Sequence, residues 1–113
     1  MSYKIYQRTT SKIRYDKGLF SYEQDKLADL LDKYCTDHYI RDDSNCLKET
    51  WEISTVNIKQ VIQGLKNDYK SDDIVFTDWT QQKLIDTFER WINVNEKNKA
   101  NLDYPELIIL DWL

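Results

Sequence analysis

The stretch PELIILDWL, residues 105–113, contains the longest uninterrupted apolar run of the chain, from Leu107 to Leu110. An unbroken run of this length is typical of a strand that is central in a sheet or covered on both faces, because a half-exposed strand alternates apolar with polar residues. We therefore predict a strand over Glu106 to Leu113. We expect a C-terminal strand buried in this way to form late and to lock the fold.

Two segments near the N-terminus alternate with the period of two that is typical of strands. They are Tyr3 to Arg8 and Lys12 to Tyr15, separated by the turn-like residues Thr9 to Ser11. We predict a β-hairpin there and a further short strand from Glu49 to Ile53. The preceding segment, Arg41 to Lys48, is polar and is predicted to be a loop.

The first of three amphipathic segments gives the clearest helix prediction. Ser21 and Gln24 have the spacing of a capping box, which satisfies unpaired backbone N–H groups at a helix N-terminus. The helix is predicted to run to about Asp37. Its apolar positions follow the 3.6-residue period; they are Leu27, Leu30, Leu31, Tyr34 and Cys35.

The second helix is predicted to begin at a cap formed by Ser54 or Thr55 and to end near Tyr69. Gly64 lies inside it, where glycine costs about 1 kcal/mol relative to alanine. We therefore expect a close neighbour to occupy the space that a larger side chain at this position would need.

The third helix is predicted to begin at a cap formed by Thr77 or Asp78 and to end near Asn95. With Asp78 as the cap, Gln81 would complete a second capping box. The residues before it, Ile74 to Phe76, form either a very short strand or an apolar approach to the helix. The segment after it, residues 95–101, is polar and is predicted to be a loop.

The order of these elements, β-β-α-β-α-(β)-α-β, predicts an α+β fold. We expect a small, mostly antiparallel sheet packed against about three helices, with the N-terminal hairpin, a short middle strand and the C-terminal strand in the sheet. Residues 1–113 contain no repeat, no low-complexity segment and no convincing boundary, so a single globular domain is expected. A chain of 13.7 kDa buries about two thirds of its surface on folding, which suffices for one core.

The charge of the chain is negative and unevenly distributed. The 16 Lys and Arg residues against 20 Asp and Glu residues give a net charge of −4. Residues 1–20 contain five basic residues and one acidic residue (+4), whereas residues 21–113 contain 11 basic and 19 acidic residues (−8). An acidic body repels nucleic-acid backbones and anionic membranes and attracts a basic partner.

Targeting signals and disulfide patterns are also missing from the sequence. No apolar segment near Met1 has the form of a signal peptide, and no run approaches the roughly 18 residues of a membrane span. The two cysteines, Cys35 and Cys46, do not make a disulfide framework for a chain of this length. We expect a cytoplasmic protein with reduced thiols and no membrane partner.

Sequence motifs for catalysis and cofactor binding are missing. The chain has two glycines, too few for a glycine-rich phosphate loop. His38 and the two cysteines cannot supply the three or four ligands of a typical zinc site. The acidic pairs at 42–43 and 72–73 lack the ligand spacing of a calcium loop. We expect no catalytic residue, no metal and no cofactor, and hence a protein that is not an enzyme.

Acidic and aromatic residues are the candidate partner-binding residues. Asp25, Asp29 and Asp32 lie at i, i+4 and i+7 of the first helix and therefore share one side of it. Such a stripe is either a solvated outer face or a surface that enters a basic groove on a partner. Exposed aromatic residues are frequent at interfaces, so Tyr39 and Trp79, which lie near element ends, are further candidates. The acidic residues Asp42 and Asp43 are also included.

The basic hairpin provides an alternative site. Basic side chains with an interleaved aromatic residue are typical of surfaces that bind single-stranded nucleic acid. The residues concerned are Lys4, Tyr6, Arg8, Lys12 and Arg14. A hairpin with few positive charges on an acidic body would bind nucleic acid weakly, so direct nucleic-acid binding is the less favoured interpretation.

These observations predict a small acidic cytoplasmic protein that binds another protein with a basic surface. Such a protein would act as a stoichiometric inhibitor of a basic or nucleic-acid-handling protein, in the manner of phage anti-defence proteins or toxin-immunity proteins. Nucleic-acid binding through the N-terminal hairpin is the alternative function. A homodimer formed through an exposed sheet edge or aromatic patch also stays open.

Overall fold

A computed structural model of the chain describes residues 5–10, 14–15, 24–35, 38–43 and 48–112. The described strands are β1 (Ile5–Thr10), β2 (Arg14–Tyr15), β3 (His38–Asp43), β4 (Lys48–Ser54), β5 (Ile74–Phe76), β6 (Trp79–Thr80) and β7 (Leu107–Trp112). The described helices are α1 (Gln24–Tyr34), α2 (Thr55–Asp68) and α3 (Gln81–Lys97), with a 3-10 helix at Lys99–Asn101. The predicted α+β fold is confirmed.

The C-terminal strand lies at the centre of a five-stranded antiparallel sheet with the order β2-β1-β7-β4-β3. On one side, β7 pairs with β1, and Leu110 lies opposite Gln7. On the other side, β7 pairs with β4, and Leu110 lies opposite Trp51. The predictions of an N-terminal hairpin, a middle strand and a central last strand are therefore confirmed.

The sheet has one face covered by helices and one face without helical cover among the described residues. On the covered face, Ile108 and Leu110 of β7 are buried together with Trp51 and Ile53 of β4. On the opposite face, Leu107 and Ile109 stay partly exposed. Since the described residues place helices on one face only, the continuity of the apolar run reflects the central position of the strand.

The helices contribute the remaining core from the faces that their periodicity predicts. Tyr34 of α1 packs directly on Gly64 of α2, where a Cβ atom would lie 2.2 Å from the Tyr34 Cδ1 atom. The expected close neighbour of Gly64 is therefore Tyr34. The buried helical core residues are Leu27, Leu30, Leu31, Ile58, Val61, Ile62, Leu65, Leu84, Ile85, Phe88 and Trp91.

The caps of α2 and α3 differ in how well the sequence predicts them. Ser54 caps α2, since its Oγ accepts a hydrogen bond from the Asn57 N–H at 3.0 Å. The prediction that Thr77 or Asp78 caps α3 is wrong, because Thr80 takes that role and accepts from the Lys83 N–H at 3.2 Å. The chain at Thr77 and Asp78 instead turns between β5 and β6.

The side chain of Gln81 also differs from the prediction of a second capping box. Gln81 is buried at the start of α3. Its Nε2 donates to the Tyr69 carbonyl at 3.1 Å, so it satisfies the end of α2 and does not reach back to a cap residue. The prediction failed because a distant chain segment supplies an acceptor that local spacing does not reveal.

Two segments predicted to be loops have regular structure. Arg41 to Asp43 belong to β3, which pairs with β4 from His38 opposite Ile53 to Asp43 opposite Lys48. An edge strand with polar residues shows little apolar alternation, so its pairing is invisible in the sequence. Similarly, α3 extends to Lys97, and Asn98 donates from Nδ2 to the Val94 carbonyl at 2.8 Å.

The first helix ends earlier than predicted. It stops at Tyr34, and the Cys35 N–H makes the last helical bond, to the Leu31 carbonyl at 2.6 Å. Cys35 already lies outside the helix, and the next described element, β3, begins at His38 and pairs with β4. The predicted capping residue Ser21 and the strand residues Tyr3, Lys4, Lys12 and Ile13 lie outside the described residues.

An amide pair anchors the covered face of the sheet to α3. Gln7 of β1 donates from Nε2 to the Trp91 carbonyl at 2.7 Å and to Asn95 Oδ1 at 2.9 Å. Asn95 in turn donates from Nδ2 to the carbonyls of Pro105 and Leu107. The carbonyl acceptors fix the orientation of both amides, so these buried polar groups join β1, α3 and the start of β7.

An ion pair ties the strands together on the opposite face. Asp111 of β7 is 2% exposed and accepts two hydrogen bonds from the Arg8 guanidinium of β1. Thr50 of β4 donates to Asp111 Oδ1 at 2.6 Å. A single carboxylate therefore bonds to side chains on both neighbouring strands.

We predict that Gly64→Ala destabilises the protein by about 1–2 kcal/mol in urea unfolding, since the cost of overpacking exceeds the gain in helix propensity. In a Tyr34→Ala background, where the ring is absent, the same substitution should raise the free energy of unfolding. Gln60→Ala, at an exposed site of the same helix, is the control and should stay within about 0.5 kcal/mol. Destabilisation by Gly64→Ala in both backgrounds would contradict this account.

We also predict that Arg8→Met lowers the free energy of unfolding by about 3 kcal/mol, because Asp111 would keep a buried charge without its cation. The double variant Arg8→Met with Asp111→Leu should recover most of the loss, measured by thermal and urea unfolding. Lys59→Met, which removes an exposed cation from α2, serves as the control. Additive losses in the double variant would argue against the coupling.

Candidate functional site

Helix α1 turns a charged side to solvent. Lys26, Asp29, Asp32 and Lys33 are exposed, whereas Leu27 and Leu31 on the other side are fully buried. Two of the three aspartates predicted to form a stripe, Asp29 and Asp32, therefore lie on the exposed side. Asp25 belongs to α1 by its backbone, and its side chain lies outside the described set.

The exposed side of α1 borders a groove of about 370 Å³, which we call the α1–β5 groove. Helix α1, the residue after α2 and strand β5 form its walls. The lining residues are Lys26, Asp29, Leu30, Lys33, Tyr69, Val75 and Phe76. Aliphatic and aromatic side chains thus meet charged side chains from α1, which is the composition of many ligand and interface pockets.

Two lysines on the rim of the groove already have partners in this chain. Lys33 Nζ lies 3.5 Å from an Asp68 carboxylate oxygen and 5.7 Å from the centroid of the Tyr69 ring. Lys26 Nζ donates to Thr77 Oγ1 at 3.1 Å. Because Tyr34 donates a hydrogen bond to Asp68 at 2.6 Å, the pKa of the Asp68 carboxyl is lowered and its charge is retained.

The β5–β6 hairpin forms one wall of the groove. Phe76 pairs with Trp79 across a two-residue turn in which Thr77 has a φ of 50°. A β-branched residue with positive φ is uncommon, and strain of this kind is found at functional sites more often than elsewhere. The hydrogen bond from Lys26 to Thr77 fastens this turn to α1.

Trp79 belongs to the core and not to the exposed surface. It is 6% exposed, with its ring centroid 6.5 Å from that of Phe76 and 4.5 Å from Lys83 Nζ. Its ring is therefore not accessible to a partner, and its role is to anchor the hairpin. The β5 residue Ile74, which the sequence did not nominate as a site residue, is 63% exposed.

The chain segments that form the groove contain several aspartates. Asp72 and Asp73 precede β5 and Asp78 lies in the hairpin turn, all with exposed side chains. Residues 26–34 and 66–78 together contain six aspartates and four lysines, a net charge of 4 − 6 = −2. The segments that form the groove are thus acidic on balance, whereas the charged residues that line it are Lys26, Lys33 and Asp29.

The remaining acidic and aromatic candidates lie on a different element. Tyr39, Asp42 and Asp43 belong to β3, the edge strand of the sheet, where their backbone partners are on β4. Their side chains lie outside the described set. The predicted partner-binding residues are therefore divided between α1, β3 and the core.

The basic hairpin is only partly described. Arg8, which was proposed to contact nucleic acid, bonds to the buried carboxylate of Asp111. Tyr6 is half-buried on the same strand. Arg14 lies in β2 with its side chain undescribed, and Lys4 and Lys12 fall outside the described residues. The described part of this hairpin thus presents one arginine whose charge is balanced within the protein.

The groove could not be predicted from the sequence, because its lining residues come from three separate segments of the chain. Ile74 to Phe76 was recognised as apolar, and the neighbouring acidic pair at 72–73 was noted, but nothing local indicates that β5 lies beside α1. The pairing of an apolar triplet with flanking aspartates was the signal that could have drawn attention to it.

The described residues also contain a second cavity, and their metal-ligating side chains do not cluster. No group of three or more metal-ligating side chains occurs within the part of the chain that the structure describes. A further cavity of about 450 Å³ lies along α3 and is lined by side chains of both signs, among them Asp86, Glu89, Arg90 and Lys97. We call it the α3 cavity.

None of the described helices is both long enough and apolar enough to cross a lipid bilayer.

Comparison of the chain with protein-family models, with curated proteins and with solved structures gave no match.

The buried thiol of Cys35 is chemically inert at neutral pH. Its Sγ lies 3.6 Å from the Asn57 carbonyl, and burial, together with the nearby charge of Asp32, raises its pKa from an ordinary 9.0 to about 11. A thiol that stays protonated is a poor nucleophile and a poor metal ligand. Cys35 is therefore a core residue.

This pKa shift predicts a pH dependence of stability. Below pH 9 the thiol is neutral in both states, and between pH 9 and about 11 it ionises in the unfolded chain only. In a Cys46→Ser background, the free energy of unfolding should fall across this interval more steeply than in the same background with Cys35→Ala. Urea unfolding followed by tryptophan fluorescence measures both, and equal slopes would contradict the prediction.

Proposed function

We propose that this chain is an acidic protein-binding module that works in the cytoplasm by covering a basic surface of another protein. The observation that carries the proposal is the α1–β5 groove, an apolar depression lined by Asp29, Lys26 and Lys33 and formed by segments that contain more aspartates than lysines. Protein interfaces combine an apolar, desolvated centre with a polar and charged rim. This groove has the same combination.

The charge of the surface indicates the chemistry of the partner. Opposite charges steer association and reject partners of the same charge, while apolar anchors supply most of the affinity. Asp29 and Asp32 are exposed on one helix and would face a lysine- or arginine-rich surface. Nucleic-acid-handling proteins carry such surfaces because they must neutralise phosphates.

The proposed mechanism is occlusion at one-to-one stoichiometry. A compact acidic protein seated on the basic groove of a nucleic-acid-handling protein would compete with phosphates for the same cations. Inhibitors of the phage anti-defence type and immunity proteins of toxins would act in this way. The ion pair between Arg8 and Asp111 gives no support to the alternative of nucleic-acid binding through the hairpin.

The first experiment is capture of partners by the tagged chain from a nuclease-treated native lysate, with washes across a salt series. A single dominant partner, bound in equal amount and released at high salt, would support the proposal. Recovery of nucleic acid without a protein partner when nuclease is omitted would overturn it.

With the partner in hand, we predict that Asp29→Asn with Asp32→Asn weakens binding by about tenfold at low salt and flattens its salt dependence, because two charge contacts are lost. Titration calorimetry at several salt concentrations measures both effects. The control Glu89→Gln with Glu106→Gln removes the same charge from exposed sites on α3 and before β7. Equal effects of the two double variants would show that only net charge matters and would reject α1 as the contact.

A further inference from the structure

We infer that the covered face of the sheet contains a buried binding site for one water molecule, between Gln7 of β1 and Trp51 of β4. The water accepts a hydrogen bond from the Trp51 indole N–H and donates one to the side-chain carbonyl oxygen of Gln7. The site is independent of the proposed function, because it lies in the core and not on the surface that a partner would contact.

Two polar side-chain atoms of the core form no hydrogen bond with the rest of the described protein. They are Oε1 of Gln7, a residue that is 2% exposed, and Nε1 of Trp51, a residue that is 1% exposed. No other buried side-chain nitrogen or oxygen of the described residues is unpaired in this way. A buried polar group without a partner is costly, since it has lost its hydration and nothing in the protein replaces it.

The two atoms have opposite hydrogen-bonding roles. The Gln7 amide cannot turn over, because its Nε2 donates to the Trp91 carbonyl at 2.7 Å and to Asn95 Oδ1 at 2.9 Å. Its Oε1 is therefore fixed as an acceptor, while the indole Nε1 of Trp51 can only donate. A single water molecule can pair with both atoms, since buried waters typically bond to two to four polar groups and can both accept and donate.

The register of the sheet places the two residues in one row. Gln7 lies opposite Leu110 from one side, and Trp51 lies opposite the same residue from the other side. Directly opposite residues point to the same face, so both side chains stand on the covered face with Leu110 between them. Neighbouring strands are about 4.8 Å apart, which separates the two backbones by about 10 Å. Two long side chains with a water between their ends can span this interval, because a water joins atoms up to about 6 Å apart.

The surroundings favour water over an ion. Leu110 and Ile53, which flank the site on the covered face, are buried apolar residues. The charged groups of Arg8 and Asp111 lie on the opposite face and pair with each other. A metal cation needs several oxygen ligands, and any ion is costly to bury without a counter-charge. A neutral ligand that accepts once and donates once fits the two unpaired atoms, and water is the one small enough to lie among packed side chains.

The water would complete a chain of polar contacts through the core. Asn95 donates to the carbonyls of Pro105 and Leu107 and accepts from Gln7. The water continues this chain to Trp51, so that β1, β4, α3 and the start of β7 belong to one network. Every buried side-chain polar atom of the described residues then has a partner.

The experiment is a crystal structure of this chain at about 1.5 Å resolution, together with ¹⁵N-edited NOESY and ROESY spectra in H₂O. We expect one electron-density peak at hydrogen-bond distance, about 2.7–3.2 Å, from both Gln7 Oε1 and Trp51 Nε1. The Trp51 indole proton should also show cross-peaks to water that have opposite signs in the two spectra. Opposite signs distinguish a long-lived bound water from proton exchange with the solvent.

A substitution tests the role of the indole donor. Trp51→Phe keeps an aromatic ring and removes the N–H, so the occupancy of the water should fall at least twofold while Gln7 keeps its bonds to Trp91 and Asn95. Trp79→Phe makes the same change at a buried ring outside the five-stranded sheet and should leave the water in place. The density and spectra of the unchanged chain decide the question if Trp51→Phe fails to fold in thermal melts.

Several outcomes would overturn the inference. They are a direct hydrogen bond between the two side chains, a protein group bonded to either atom in place of water, and no density peak at the site when both side chains are well ordered. Unchanged occupancy of the water in Trp51→Phe would also overturn it, because the indole would then not hold the water.

Discussion

Backbone pairing of β7 with both β1 and β4 is the constraint on which the other elements depend. The partners of this strand lie about a hundred and about sixty residues earlier in the chain, for example Gln7 and Trp51 opposite Leu110. Its covered face supplies Ile108 and Leu110 to the surface on which the helices pack. Because its contacts are so distant in sequence, the sheet can close only after β7 has been synthesised, and topologies of this kind fold slowly.

The elements that were predicted well from the sequence are those whose buried face produces a regular spacing of apolar residues. The run at Leu107 to Leu110, the apolar stripe of the first helix and the cap at Ser54 are examples. The failures have a common physical cause, since β3 and the cap of α3 are determined by distant partners. β3 is polar and exists through its ladder with β4, and Thr80 caps α3 because Trp79 is drawn into the core.

The candidate site depends on the same distinction. The spacing of the aspartates correctly predicted that Asp29 and Asp32 are exposed on one face of the helix. Trp79 was proposed as exposed because it lies near the start of α3, but the structure buries it. Residue spacing also did not identify Tyr69, Val75 and Phe76, which line the groove only because Tyr34 fits over Gly64 and sets the position of α1. These side chains form one surface because the fold brings their segments together, which residue type alone does not reveal.

The side chains of Gln7 and Arg8 point to opposite faces of β1. Gln7 bonds to Asn95 and the Trp91 carbonyl on the covered face, and Arg8 bonds to Asp111 on the other face. If β1 slid by one residue along β7, the guanidinium would be turned under the helices and the amide would leave the Trp91 carbonyl for solvent. The bonds to Asp111 and to Asn95 therefore each form only in the observed register of β1. An apolar pair at these positions would lack such bonds, so the polar pair adds to the alignment that burial of Ile5 on the covered face already favours.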